Sequence, residues 1–182
     1  MAAGLAGRLG AAAARGVPIV GVEPSCLLTL RDEYLALLPD DPRAQAVAAA
    51  THLPEELLVA AIAEGRLILP EGPGVRILFH GHCHQKALAG TAATMALLRS
   101  IPGADVVEVD AGCCGMAGSF GFEAEHYELS MRIGELRLFP AVRAEPPETI
   151  IAATGVSCRQ QIAHGTGRPA RHPLEIVREL LG

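Results

Sequence analysis

Five cysteines are the residues of this 182-residue chain whose types and spacing could do chemistry. Cys113 and Cys114 are adjacent in the stretch VDAGCCGMAGSFG, with Cys26 and Cys83 before them and Cys158 after them. An odd number of cysteines in a chain with no recognisable secretory signal argues against a framework of structural disulfides. It favours metal binding or redox chemistry, and four thiolates are the ligand set of a zinc ion or an iron–sulfur cluster.

The spacing of the cysteines favours a cluster over a single zinc ion. Structural zinc is usually bound by two C-x₂₋₄-C pairs, and no such pair occurs here. The side chains of the neighbouring Cys113 and Cys114 diverge, so that they can reach two different irons of one cluster. Zinc stays open as the alternative.

Glycines surround the cysteine pair at every third position, and we expect Gly112, Gly115 and Gly118 to contact the bound group through their backbone. Glycine tolerates positive φ and close approach, so that N–H groups can point at sulfur. The loop has neither a G-x-G-x-x-G pattern nor a G-K-[ST] ending, which argues against phosphate binding.

Histidines bracket Cys83 in the stretch HGHCHQKA, where His80, His82 and His84 alternate with other residues. We expect His82 and His84, together with Arg159, to lie next to the ligands as hydrogen-bonding neighbours rather than to bind metal themselves. Surface or packing positions are predicted for His126, His164 and His172.

The elements that must position these residues are strands alternating with helices. Four apolar runs rich in Val and Ile predict buried parallel strands, at 17–23, 75–81, 104–110 and 149–155. Amphipathic patterns predict helices at 25–38, 42–65 with a break near Pro54, 85–101, 123–138 and 173–181, after an N-terminal helix that ends at 16–18.

Each cysteine follows the carboxyl end of a predicted strand. In an open parallel sheet these ends meet at one edge, which is where such folds bind ligands. The sequence therefore predicts an α/β fold: a parallel sheet of about four strands with flanking helices, and the cysteines gathered at the carboxyl edge of the strands.

Charge and hydropathy exclude some classes of partner. The net charge is −5, without a block of like charge, so no nucleic-acid surface is expected. No stretch approaches the 18–20 or so apolar residues of a transmembrane helix. We expect a cytoplasmic location, with any membrane association made through a partner.

The motifs EPSC, HGHCHQKAL, GCCGMAGSFGFEAEHYELSMRIGE and SCRQQI resemble the cysteine-rich CCG domain. That domain occurs in one of the subunits of heterodisulfide reductase, in the iron–sulfur subunit of glycolate oxidase, and at the C-terminus of FAD-linked oxidases of the D-lactate and D-2-hydroxyglutarate dehydrogenase type. The resemblance is greatest to the last group and covers nearly the whole chain.

The resemblance assigns roles to the cysteines, because the family has two repeats of the pattern C…CCG…C-x-x-C. Cys83 matches the opening cysteine of the second repeat, Cys113 and Cys114 its pair, and Cys158 its closing cysteine. Cys26 matches the closing cysteine of the first repeat, and is a candidate ligand of a second site.

This chain departs from the family pattern at two kinds of position. Glu23 and Gly155 stand where the first cysteine of each closing C-x-x-C is expected, and the earlier cysteines of the first repeat are missing. The resemblance therefore implies residues 1–70 as the tail end of the first repeat with connecting helices, and 71–182 as the second repeat.

The function implied is that of an electron-transfer domain with an iron–sulfur cluster of the 4Fe-4S type. It would be the C-terminal fragment of an FAD-linked 2-hydroxy-acid oxidoreductase, with FAD in a missing part or a partner subunit, and not catalytically complete alone. One alternative is a zinc-bound or metal-free module with a structural or subunit-docking role. Others are heterodisulfide-reductase-like thiol–disulfide chemistry, or a thiol enzyme with Cys113 or Cys114 as nucleophile and His82 or His84 as base.

Overall fold

The structure is a computed structural model that describes residues 1–72 and 74–181. The α-helices within those ranges are α1 (Ala2–Ala13), α2 (Pro24–Arg31), α3 (Glu33–Leu37), α4 (Pro42–Ala50), α5 (Pro54–Ala63), α6 (Cys83–Leu88), α7 (Ala92–Arg99), α8 (Tyr127–Leu136), α9 (Leu138–Ala144), α10 (Val156–Thr166) and α11 (Pro173–Leu181), and a short 3-10 helix covers Phe120–Phe122. The strands are β1 (Ile19–Val20), β2 (Thr51–His52), β3 (Arg76–His80), β4 (Asp105–Glu108), β5 (Ile150–Ala153) and β6 (Ala170–Arg171). Each helix in the described ranges is too short or too polar to span a lipid bilayer.

The main sheet has four parallel strands in the order β4-β3-β5-β6. The predicted fold class is confirmed, although one strand differs. The predicted strand at 17–23 is reduced to Ile19–Val20 and pairs with β2 in a separate two-stranded sheet. Pro18 lacks an N–H for a ladder, and Val17, Val20 and Val22 are exposed, so that Ile19 alone of the valines and isoleucines of this run packs against a core cluster. The fourth member of the main sheet is β6, which the sequence analysis missed.

The core lies on both faces of the main sheet. Ile77 and Phe79 of β3 face a cluster with Leu97 and Leu98 of α7. Leu78, between them, faces the opposite cluster. This alternation is the period-two geometry of a strand, and it explains why strands covered by helices on both faces read as continuous apolar runs.

The predicted helices are present, but several of them begin, end or divide at residues other than those predicted. The break near Pro54 is confirmed, and so is the end of the N-terminal helix before Gly16, whose φ is +76°. The predicted helix at 25–38 is divided at Asp32 into α2 and α3. The predicted helix at 85–101 is likewise interrupted at Gly90, whose φ of +72° ends α6.

His172 links the end of the chain to the segment after β1. It stands before α11, where its Nδ1 accepts a hydrogen bond from the backbone N–H of Leu174 (3.1 Å). The ring proton therefore sits on Nε2, which donates to the carbonyl oxygen of Val22 (3.1 Å). The side chain is buried, so of the two predicted alternatives, a surface or a packing position, His172 has the packing position.

We expect His172 to make the fold less stable in mild acid. Burial, together with the nearby Arg159, lowers the pKa of His172 below its ordinary value of 6.5. The unfolded chain then binds a proton more readily than the folded chain. The contribution of neutral His172 to the free energy of unfolding is therefore fully present above pH 6.5 and decreases as the pH falls towards the lowered pKa. In urea unfolding at pH 7.5 and 5.5, the loss should be smaller in His172→Asn, which keeps a capping side chain. Equal losses in the two proteins would assign the acid sensitivity to other groups.

Candidate metal centre

Four cysteines lie just beyond three neighbouring strands of the main sheet. Cys83 begins α6, shortly after the end of β3. Cys113 and Cys114 lie in the loop after β4, and Cys158 lies in the first turn of α10, after β5. Because β4, β3 and β5 are adjacent and parallel, their carboxyl ends place these four side chains at one edge.

The four thiols form a row in which neighbours interact, from Cys83 to Cys113, then Cys114, then Cys158. Hydrogen bonds from Cys114 and Cys83 lower the pKa of Cys113, and the backbone N–H of Gly115 also donates to its Sγ (3.3 Å). The interaction with Cys114 likewise lowers the pKa of Cys158, to about 5. The pKa values of Cys83 and Cys114 are raised, first of all by their contact with Cys113. The pKa values of adjacent members of the row are thus shifted in opposite directions.

A cavity of about 220 Å³ opens beside this row. Its lining residues are Ser25, His82, Cys83, His84, Cys114, Ala117, Gly118, Ser157 and Cys158. Cys114 and Cys158 are almost fully buried, whereas Cys83 and Cys113 are half-buried. Cys83, Cys114 and Cys158 therefore border the cavity, whereas Cys113 does not line it.

The loop with the cysteine pair depends on left-handed backbone conformations. Gly115 has φ +98° and Gly118 has φ +68°, and between them Ala117 has φ +45°. A positive φ in a residue other than glycine is uncommon, and such conformations cluster at functional sites. Of the three glycines expected to contact a bound group, Gly118 lines the cavity and Gly115 donates to Cys113, whereas Gly112 borders open space.

His82 and His84 both line the cavity. The Nδ1 of His82 accepts a hydrogen bond from the backbone N–H of His84 (3.2 Å) and so caps α6. The Nε2 of His84 lies 3.5 Å from a carboxylate oxygen of Glu33. Both rings therefore lie next to Cys83, where the ring of His82 caps α6 and the ring of His84 lies near Glu33.

His80 is a site residue whose importance the sequence reasoning missed. It is the last residue of β3 and only 1% exposed, and neither ring nitrogen has a hydrogen-bond partner among the described residues. It lies beside Cys113 and Cys158, whose pKa values its ring helps to lower. The sequence feature that indicates this role is a histidine at the end of a predicted buried strand, three positions before the candidate ligand Cys83.

Neither Arg159 nor Cys26 lines the cavity. The guanidinium of Arg159 donates to the carbonyl oxygens of Ala153 (3.2 Å) and Thr154 (2.7 Å), at the end of β5. Cys26 is exposed in the first turn of α2 and does not line the cavity. The structure thus brings four of the five cysteines together.

The chemistry of the donor set fits a sulfur-bound metal group. Four thiols, a buried imidazole beside two of them and a backbone N–H that already donates to sulfur are the environment that such a group uses. Within residues 1–72 and 74–181, however, no three His, Cys, Asp or Glu side chains are arranged to hold a single metal ion. The assignment of the individual ligands stays a prediction.

The fold and the site define a class: an α/β domain with four cysteines at the carboxyl edge of a parallel sheet. Residues 77–163, which contain all four, match the family model described as the cysteine-rich domain, CCG. The resemblance to the cysteine-rich CCG domain that the motifs predict is thus confirmed for this part of the chain.

Similar proteins are larger dehydrogenases and one component of a dehydrogenase complex. The chain is 35% identical over 167 residues to D-2-hydroxyglutarate dehydrogenase of Escherichia coli, covering 91% of this chain and 16% of that protein. It is 34% identical over 165 residues to the D-2-hydroxyglutarate dehydrogenase of Pseudomonas putida, covering 89% of the chain and 15% of that protein. Identity to one of the subunits of the anaerobic glycerol-3-phosphate dehydrogenase of E. coli is 29% over 167 residues, covering 92% of this chain and 41% of that protein. The chain therefore spans about a sixth of the first two proteins and two fifths of the third. No solved structure matches it.

Proposed function

We propose that this chain is the iron–sulfur, electron-transfer part of an FAD-linked dehydrogenase that oxidises a 2-hydroxy acid. The observation that carries the proposal is the row of four thiols at the edge of the main sheet, inside a CCG domain. The similarity to D-2-hydroxyglutarate dehydrogenases supports the substrate class. The similarity to one component of the glycerol-3-phosphate dehydrogenase supports work with a flavin-containing partner or domain.

In this proposal Cys83, Cys113, Cys114 and Cys158 hold the cluster, which is of the 4Fe-4S type. When bound, such a cluster accepts and releases one electron at a time. The chain's own residues shape its surroundings. Gly115 supplies an N–H to sulfur, His80 supplies a buried imidazole, and the half-buried row keeps water away from most of the site. Hydrogen bonds and exclusion of solvent are what proteins use to tune the potential of a cluster.

The organisation of the longer protein is also part of the proposal. Residues 1–70 are the tail end of a first CCG repeat and 71–182 the second repeat, with FAD in another domain or subunit. The protein works in the cytoplasm. The exposed Cys26 belongs to a second centre, completed by residues outside this chain.

Metal analysis of Cys114→Ser tests the proposal. Chain produced anaerobically should be brown, absorb broadly in the blue and contain about four irons with matching sulfide. Cys114→Ser should lose the colour and nearly all the iron, because Cys114 contacts both neighbours in the row. Cys26→Ser is the matched control and should keep both, since Cys26 is outside the row and the second centre to which we assign it needs residues that this chain does not contain.

The other outcomes distinguish the alternatives. Stoichiometric zinc in place of iron, after anaerobic handling, would assign the chain to a structural or subunit-docking role. A colourless chain without metal, in which oxidation joins two of the four thiols, would favour thiol–disulfide chemistry. Either result would overturn the cluster.

A further inference from the structure

Glu23 connects the N-terminal part of the chain to the row of thiols. It stands directly before α2, and its side chain is half-buried, with 22% exposed. One oxygen, Oε2, accepts a hydrogen bond from the backbone N–H of Val156 (2.8 Å), 133 positions further along the chain. The other, Oε1, accepts from the hydroxyl of Ser25 (3.0 Å). Both oxygens are therefore used, and one reaches the helix that carries Cys158.

The contact with Val156 supplies a cap that α10 lacks. The first N–H groups of a helix have no partner within it, and a side chain at the N-cap position usually accepts from one of them. In α10 that position is Gly155, which has no side chain to do so. The Glu23 carboxylate replaces it from a distant segment, and its negative charge is favourable at a helix N-terminus. Cys158 lies in the same turn, just after Val156 and Ser157.

His82 extends the connection to the helix that carries Cys83. Because Nδ1 of His82 accepts from the N–H of His84, its proton is on Nε2, which lies 3.8 Å from Oε1 of Glu23. The same ring packs against Gly155, where an added Cβ would come within 2.3 Å of Cδ2 of His82. The first turns of α6 and α10 therefore meet around one carboxylate.

We propose that Glu23 is a positioning residue of the metal centre. Its carboxylate holds the first turn of α10, and so Cys158, in place against the turn that carries Cys83. It also adds a negative charge at the N-terminus of the helix that carries Cys158. The proposal rests on the proposed function only in taking the four thiols as metal ligands. Removing the carboxylate should loosen the turn with Cys158, and removing the charge should make reduction of a bound cluster easier.

Two variants separate position from charge. Glu23→Gln keeps an oxygen that can accept from Val156 but is neutral, whereas Glu23→Ala removes both features. In anaerobically loaded chain, transfer of iron to a chelator should be at least about tenfold faster in Glu23→Ala, the factor expected for one lost hydrogen bond to a charged group. In Glu23→Gln it should stay within about threefold of the unmodified chain. The midpoint potential should shift to more positive values in both variants.

Asp41→Ala is the control for a general loss of stability. Asp41 caps α4 by accepting from the backbone N–H of Arg43 (2.9 Å), and it lines neither the cavity nor the row of thiols. This variant should unfold more easily but release iron at the normal rate. Equal iron release from Asp41→Ala and Glu23→Ala would show that Glu23 acts only on global stability, which overturns the proposal.

The same variants also test the positioning role if the chain binds no iron. That result would overturn the proposed function, but the role of Glu23 can still be measured. Cys158 is 1% exposed, so alkylation by iodoacetamide requires the first turn of α10 to open. Peptide mapping should find Cys158 alkylated at least about tenfold faster in Glu23→Ala, with no such change in Asp41→Ala. Equal rates in Glu23→Ala and the unmodified chain would overturn the positioning role, whatever metal the chain binds.

Discussion

Replacing Gly115 with alanine is expected to lower the free energy of unfolding by at least about 3 kcal/mol and to remove the metal-binding capacity of the chain. Two costs combine at this position. The φ of +98° lies in a region that L side chains rarely adopt. A Cβ would also lie 2.1 Å from the carbonyl oxygen of Ser130 and 3.2 Å from the Cβ of Ile133. The nearest obstacle is backbone of α8, so the loop with Cys113 and Cys114 must move instead.

Movement of this loop would break hydrogen bonds as well as packing contacts. The N–H of Gly115 donates to Sγ of Cys113, and the carbonyl of Ser130 accepts from the buried Gln161 of α10 (3.3 Å). A displaced loop therefore breaks a contact to sulfur and disturbs the junction of α8 with α10. Urea unfolding and iron content, measured on the same preparation, check the two parts of this prediction.

Two other glycines of the same loop are matched controls. Gly118 also has a positive φ, but nothing lies within 4 Å of an added Cβ, so Gly118→Ala should cost only about 1–2 kcal/mol. At Gly112 φ is not positive and the space is again open, so alanine should be almost neutral. If Gly115→Ala costs no more than Gly118→Ala, the close approach to Ser130 has no energetic importance.

The placement of the cysteines could be predicted from the sequence because it depends on where strands end. The apolar runs before Cys83, Cys113 and Cys158 mark β3, β4 and β5, whose parallel pairing brings the strand ends together. A strand buried on both faces has a strong and local signal, the continuous run of Val, Ile and other apolar residues. One general rule about parallel sheets then relates positions that are far apart in the chain.

Short strands and long-range polar contacts could not be predicted in this way. β1 and β6 have two residues each, too few for any hydrophobic period, and so the wrong run was assigned to the main sheet. Glu23 looked like a mere substitution for a family cysteine. Its contact with Val156 depends on where the segment before α2 lies relative to the start of α10, which no local pattern records. The burial of His80 depends in the same way on the elements around it.

The ring of Phe139 occupies a slot between two glycines, and filling either side of the slot should be strongly destabilising. Phe139 is fully buried in α9, at the junction of α8 and α10. A Cβ at Gly134 of α8 or at Gly165 of α10 would lie 2.3 Å from the end of the ring. The guanidinium of Arg143 lies 5.7 Å from the ring centroid and limits its movement. We expect Gly134→Ala and Gly165→Ala each to cost about 3 kcal/mol.

These two Gly→Ala substitutions should lower stability, whereas Gly→Ala in an exposed helix ordinarily raises it. Within an exposed helix, alanine is better than glycine by about 0.5–1 kcal/mol. Gly4 of α1 is exposed, with nothing within 4 Å of an added Cβ, so Gly4→Ala should be neutral or slightly stabilising. The same chemical change should therefore raise stability in one helix and lower it in another. Thermal or urea unfolding of the three variants measures the contrast.

A double-mutant cycle with Phe139→Leu identifies the ring as the cause. Leucine lacks the far end of the ring, so Phe139→Leu alone should cost about 1–2 kcal/mol through lost packing. Combined with Gly134→Ala, it leaves room for the new methyl group, and the double variant should be more stable than the sum of the single costs by about 2 kcal/mol. Simple additivity would mean that the backbone of α8, rather than the ring, resists the alanine. Because α10 carries Cys158, coupling here would also mean that the packing of Phe139 helps to hold one of the four thiols in place.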